Sequence, residues 1–310
     1  MSTTPWQGPP HEGISVRAVA RSFGSVHAVR DVSFDALPGQ ITGLVGPNGA
    51  GKTTLLLMLA SLLAPDTGEI RVAGVDPVAD PAAARARIGW MPDALGAWEA
   101  LTAHETLVVA GRLYGATKPE ADRRAAELLV EVGLADLSAS PARVLSRGQK
   151  QLLGLARALV HRPRVLLLDE PASGLDPAAR IALREMLRRL AAEGAAILIS
   201  SHVLSELEEM TDAAVFMSRG ATVAASGPRA RDWRIRLVGD PVGARELVAR
   251  ALAGSEVRAD RRSLLVAFAD EAAAASALTA MVAAGLAVAE FAPASGALEQ
   301  AFLDLKGAER

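Results

Sequence analysis

The sequence contains no cysteine. That removes disulfides, thiolate metal sites and a cysteine nucleophile, and it fits a reducing compartment. Charge of one sign is not in excess either. Against 33 Lys and Arg stand 35 Asp and Glu in 310 residues, a formal net charge of −2. Without a general basic field, no nucleic-acid partner is expected. A signal-peptide core is also missing: Met1–Glu12 is polar, holds three prolines and reads as a flexible leader. One uncharged stretch, Ala272–Ala289, has 18 residues and imitates a membrane span. Most of it is alanine, which inserts poorly, and Gly285 interrupts it, so a helix followed by a strand is expected. What remains is a globular composition, 50% apolar and 22% charged. It supports a sizeable core in one large and one smaller domain, or in two medium ones.

Apolar periodicity outlines the order of elements. Short strands are expected at Ile14–Val19 and Val32–Phe34, around a loop at Arg21–Val26. Ile41–Val45 is a β-rich run entering a glycine loop, and Lys52–Leu63 has helical periodicity, so an α/β unit begins here. From about Pro81 to Ser140 the pattern is mostly helical, an insertion placed at residues 88–140. Buried strands follow at Val165–Leu168 and Ala195–Ser200, with a hairpin at 213–217 and 221–224 turning on Arg219-Gly220. Composition changes near Gly227-Pro228. Beyond it, strands at Arg234–Val238, Val257–Ala259, Ser263–Phe268 and Leu286–Phe291 alternate with helices at Val242–Leu252 and Ala272–Ala284. A last helix is expected at Ala297–Leu305. The β-α-β-β-α-β order suggests a small ferredoxin-like module over 229–310, after a main domain over 13–228.

Three segments carry chemistry. Gly46, Pro47, Asn48, Gly49, Ala50, Gly51, Lys52 and Thr53, followed by Thr54, match a phosphate-binding P-loop. Glycines let the backbone turn its N–H groups onto phosphate oxygens, Lys52 supplies a cation and the Thr53 hydroxyl can ligate Mg²⁺. The run Val165–Leu168 ends in Asp169-Glu170. Asp169 is placed to hold Mg²⁺, and Glu170, one residue on, to orient or deprotonate the attacking water. Ser146, in Leu145-Ser146-Arg147-Gly148-Gln149, sits where a helix N-cap belongs and makes an anion site with the N–H groups beside it.

In the order P-loop, LSRGQ, Asp169-Glu170, Ser173-Gly174-Leu175-Asp176 and His202, the chain resembles the ATP-binding cassette (ABC) ATPases over roughly Ile14 to Pro228. The resemblance implies an α/β fold: a P-loop NTPase cassette with a helical insertion and a small C-terminal α+β, ferredoxin-like module. It implies ATP and Mg²⁺ as cofactors, with Thr53, Asp169 and Asp93 about the metal. In that family two cassettes pair head to tail. Ser146, Gly148 and Gln149 would then contact the γ-phosphate in the partner's site, and Ser173 to Asp176 would cross the seam. His202 would be the switch histidine, Glu170 the catalytic base, and Phe23 the aromatic that stacks on adenine, a core phenylalanine being the alternative. Two residues depart from the family pattern. Arg147 stands where glycine is usual, and Asp93 ends Ile88-Gly89-Trp90-Met91-Pro92-Asp93 where glutamine is usual.

The resemblance also implies a transmembrane permease subunit, a second cassette as homodimer or heterodimer, and a place on the cytoplasmic face of the membrane. The chain end Leu298–Leu303 resembles ATPase subunits of bacterial drug, lipid and polysaccharide exporters. A soluble ABC ATPase acting on ribosomes or DNA is the alternative, but this chain has one cassette, no heptad run and no basic surplus. Trp90, Met91, Trp98 and Leu101 form a candidate exposed docking patch for the membrane subunit, against the alternative that they pack the insertion.

Overall fold

A computed structural model describes residues 12–93, 99–223, 230–239, 243–260 and 262–296. The leader up to residue 11, Trp98, the Gly227-Pro228 junction and the last expected helix lie outside these residues. The chain divides into two units, Met1–Val223 and Ala224–Arg310.

In the first unit a hairpin opens the chain: β1 (Ile14–Phe23) and β2 (Val26–Ala36). β3 (Ile41–Val45) leads into α1 (Lys52–Leu59), followed by β4 (Thr67–Val72), α2 (Pro81–Arg85) and β5 (Ile88–Met91). The helical pair α3 (Ala103–Leu113) and α4 (Lys118–Glu131) precedes α5 (Arg147–Ala158). Then β6 (Val165–Asp169), α6 (Pro177–Ala192), β7 (Ala196–Ser200), α7 (Leu204–Met210), β8 (Ala213–Ser218) and β9 (Ala221–Val223) complete the unit. Nine strands form one sheet in the order β4-β1-β2-β9-β8-β3-β7-β6-β5.

Strands β3, β6 and β7 are buried at all five positions each. Strands covered on both faces read as continuous apolar runs rather than alternations, which is why they stand out in the sequence. They pair in parallel, with Leu44 beside Ser200 and Asp169 beside Ser200. The loops after these strands therefore gather at one end of the sheet, where α/β folds bind ligands. The opposite half, β1, β2 and β4, is antiparallel.

Several expectations change. The loop at Arg21–Val26 is only the turn Gly24-Ser25: Phe23 pairs with Val26, and Gly24 takes φ +58°. Helix α1 stops at Leu59, not Leu63, and Ser61 has left-handed φ. Strand β4 was not expected. Ile88–Met91 is not helical: it pairs in parallel with β6 as an edge of the main sheet, so the helical segment begins later. Gly89 explains its place, since a Cβ there would lie 2.4 Å from the Ala158 carbonyl oxygen. Met91 is fully buried and Trp90 packs partly buried against the core. Met91 therefore takes no part in the exposed patch expected from Trp90, Met91, Trp98 and Leu101; Trp90 and Leu101 are half-buried, and Trp98 lies outside the described residues.

The second unit has β10 (Arg231–Leu237), α8 (Ala244–Ala251), β11 (Val257–Asp260), β12 (Ser263–Phe268), α9 (Glu271–Ala283) and β13 (Val288–Pro293). Its antiparallel sheet runs β11-β12-β10-β13. Each βαβ step thus skips over one intervening strand, the split βαβ arrangement of ferredoxin-like folds. Ile235, Val248, Val266 and Met281 form the core between sheet and helices. The alanine-rich stretch becomes α9 and β13, separated by Gly285 at φ +81°. Among the described residues no helix is long and apolar enough to cross a membrane.

Candidate active site

The loop from Gly46 to Gly51 is fixed by close backbone approaches. A Cβ on Gly46 would sit 2.4 Å from the Met217 carbonyl oxygen, and one on Gly51 2.3 Å from that of Ala28. Gly51 also has φ +98°. Helix α1 follows at once, with no side-chain cap and no acidic residue in its first turn. Its free N–H groups and positive end face the loop, as an anion requires. Lys52 is buried, and its Nζ donates to the Gly46 carbonyl at 2.6 Å and the Pro47 carbonyl at 3.2 Å. Burial pulls its pKa down, and the nearby Glu170 and Asp169 partly restore it.

Asp169 ends β6 beside Ser200 of β7. It accepts from the Ser200 hydroxyl at 2.5 Å and from the Thr53 hydroxyl at 3.2 Å. The carboxylate is thereby aimed at the first turn of α1. Glu170 accepts a bond from Nδ1 of His202 at 2.7 Å. Burial raises the Glu170 pKa against the opposing His202 bond. A cavity of about 720 Å³ brings Lys52, Thr53, Asp169 and Glu170 together, while His202 is exposed and outside its lining. Asn48, Gly49, Gly51, Lys52, Thr53 and Thr54 line its phosphate end, with Asp93, Asp169 and Glu170 beside them. Lys52 in this cavity, with helix α1 pointing in, makes a site for a polyphosphate, and three carboxylates stand beside it.

The ABC transporter family matches residues 29–173. The ABC transporter ATP-binding protein YxlF of Bacillus subtilis (strain 168) is 40% identical over 207 residues, 67% of this chain and 68% of that protein. The Nod factor export ATP-binding protein I of Paraburkholderia xenovorans (strain LB400) is 39% identical over 222 residues, 71% of this chain and 73% of that protein. A solved ATP-binding subunit of an ABC transporter superposes with a TM-score of 0.64 at 32% identity, over 68% of this chain and 88% of that one. The chain belongs to the ABC transporter family, as an ATP-binding cassette ATPase.

Not every expected site residue of the cassette meets in this cavity. Phe23 is exposed, which excludes a core phenylalanine, and the Arg21 guanidinium lies 4.9 Å from its ring centroid. Ser146 and Gln149 form a capping box on α5: Gln149 N–H donates to Ser146 Oγ at 3.2 Å, and Ser146 N–H to Gln149 Oε1 at 2.9 Å. Gly148 lies against the Gly174 carbonyl, where a Cβ would come within 2.9 Å. Asp176 caps α6 by accepting from Ala179 N–H at 2.9 Å. None of these five lines the cavity that contains the cassette's own P-loop.

Two residues about the site escaped the sequence reading. Ser200 ends the apolar run before His202, and only sheet pairing reveals that it faces Asp169. Gln151, buried on α5, donates to the Glu170 carbonyl at 3.2 Å. The walls made by Val26, His27, Ala28 and Trp90 come from β2 and β5, far away in sequence.

Proposed function

We propose that this cassette binds Mg²⁺–ATP in the P-loop cavity and hydrolyses it with Glu170 as general base. The observation that carries this is Glu170: it lines the phosphate cavity, follows Asp169 and is bonded to His202 at 2.7 Å. In this reading Lys52 leaves the Gly46 and Pro47 carbonyls for the β- and γ-phosphates. The α1 N–H groups bind phosphate oxygens. Glu170 takes a proton from the attacking water, and His202 steadies the carboxylate and the γ-phosphate. Thr53, Asp169 and Asp93 offer only oxygen ligands, as Mg²⁺ prefers, and would hold it with waters and phosphates completing the shell. The ion would neutralise charge on the phosphates.

Ser146, Gly148 and Gln149 head α5 away from their own P-loop, which fits the completion of a second cassette's site. We therefore read the working unit as a pair of cassettes joined to a separate transmembrane subunit at the cytoplasmic face. The likeness to a Nod factor export protein favours export. One experiment tests this scheme. Glu170→Gln should retain ATP binding, lose on the order of a hundredfold in hydrolysis, and elute with ATP as a dimer that added Ser146→Arg abolishes. Wild-type turnover in Glu170→Gln would remove Glu170 as the base, and a trapped monomer would remove the homodimer.

A further inference from the structure

Helix α5 grips the turn that carries Glu170 at two points. The turn Glu170-Pro171-Ala172-Ser173 is closed by Ser173 N–H donating to the Glu170 carbonyl at 3.1 Å. The same carbonyl accepts from Gln151 Nε2 at 3.2 Å. At the other end of the turn, Arg147 Nη2 donates to the Ser173 hydroxyl at 2.7 Å. Arg147 and Gln151 are four residues apart on α5, hence on one face of it. The Arg147 stem also crosses Gly174: a Cβ there would come within 2.9 Å of Arg147 Cδ. Gly174 takes φ +76°, so this crossing uses a backbone shape that glycine adopts freely.

Helix stability does not account for an arginine at this position. Arg147 is the first residue of α5, where the helix dipole disfavours a cation, and the first turn has no acid to offset it. The guanidinium is exposed, and its bond goes to a neutral hydroxyl in the loop after the catalytic strand. Glu170 itself has φ +53°, a strained shape for a glutamate. Such a conformation persists where its surroundings over-determine it.

We propose that Arg147 is a positioning residue for Glu170, acting through Ser173. The guanidinium holds the Ser173 end of the turn while Gln151 holds the Glu170 end, so the carboxylate keeps its direction toward the cavity. This rests on Glu170 being the base. Arg147→Met, Ser173→Ala, the double variant and Arg147→Lys in the full chain test it, read as steady-state ATP hydrolysis and thermal midpoint. Arg147→Met should lower kcat by roughly threefold to tenfold, the size of one modest hydrogen bond lost from the barrier. KM for ATP and the midpoint should hold. Ser173→Ala should match it, the double variant should fall no further, and Arg147→Lys should restore most of the rate. Unchanged kcat in Arg147→Met, single effects that multiply, or a raised KM at constant kcat would each overturn the proposal. Glu170→Gln separates the two ideas. If it is inactive while Arg147→Met is normal, the tether alone falls. If Glu170→Gln is fully active, the base assignment falls and the tether with it.

Discussion

Glu170 occupies the left-handed region at φ +53°, which costs a non-glycine residue about 1–2 kcal/mol. Its N–H donates to the Ser200 carbonyl at 3.2 Å, its carbonyl accepts from Gln151, and its carboxylate accepts from His202. The strain points the side chain into the cavity instead of along the strand. Burial there raises the carboxyl pKa. A base must be ionised to work, so hydrolysis should rise with pH along a limb lying above the ordinary glutamate range. The check is a pH profile of kcat at saturating ATP. A limb no higher than that of a solvated glutamate would show that burial does not tune this residue.

At the scale of elements, His161 fastens the end of α5 to β5. Its ring stacks on Tyr114 at 3.7 Å between centroids, and Nε2 donates to the Ile88 carbonyl at 3.0 Å. Nδ1 is buried without a partner, so a second proton has nowhere to bond. Burial depresses the pKa from 6.5 to about 4. Between those values the unfolded chain takes up a proton that the folded chain refuses. The stability is therefore complete above pH 6.5 and is lost as pH falls toward 4. His161→Gln should flatten this part of a melting-temperature-against-pH curve. An identical slope in the variant would exclude His161 as its source.

Elements also divide what the sequence reveals from what it conceals. The P-loop is legible because its glycines, Lys52 and Thr53 act within a single turn of chain. Asp169 and Glu170 are legible because a wholly apolar run precedes them. β4 and β5 are not, because TGEIRV and IGWM are short and carry glycine, and only pairing with distant strands makes them strands. For the same reason Trp90 and Met91 read as surface when one is half-buried and the other wholly enclosed. Ser200 and Gln151 are ordinary polar residues until the sheet and α5 bring them to Asp169 and Glu170.

On the scale of the whole molecule, each unit holds its own apolar core. One gathers Ile14, Leu55, Leu167 and Leu198 among others; the second gathers Ile235, Val248 and Met281. Ile235→Ala should cost about 2–5 kcal/mol in the second core. In calorimetry it should shift one melting component while Mg²⁺–ATP affinity stays within twofold of wild type. A matching loss of nucleotide affinity would show that the cassette depends on that core. The order of the large sheet has a consequence in time. β3 lies between β7 and β8, whose residues start 151 or more positions beyond its end, and Gly46 packs on the Met217 carbonyl. A ribosome adding about 5–20 residues per second leaves the P-loop without β7, β8 and the Met217 carbonyl for roughly 10 to 35 s. During that interval the apolar face of β3 is an unprotected strand in the growing chain, and the nucleotide site is among the last parts of the cassette to acquire its shape.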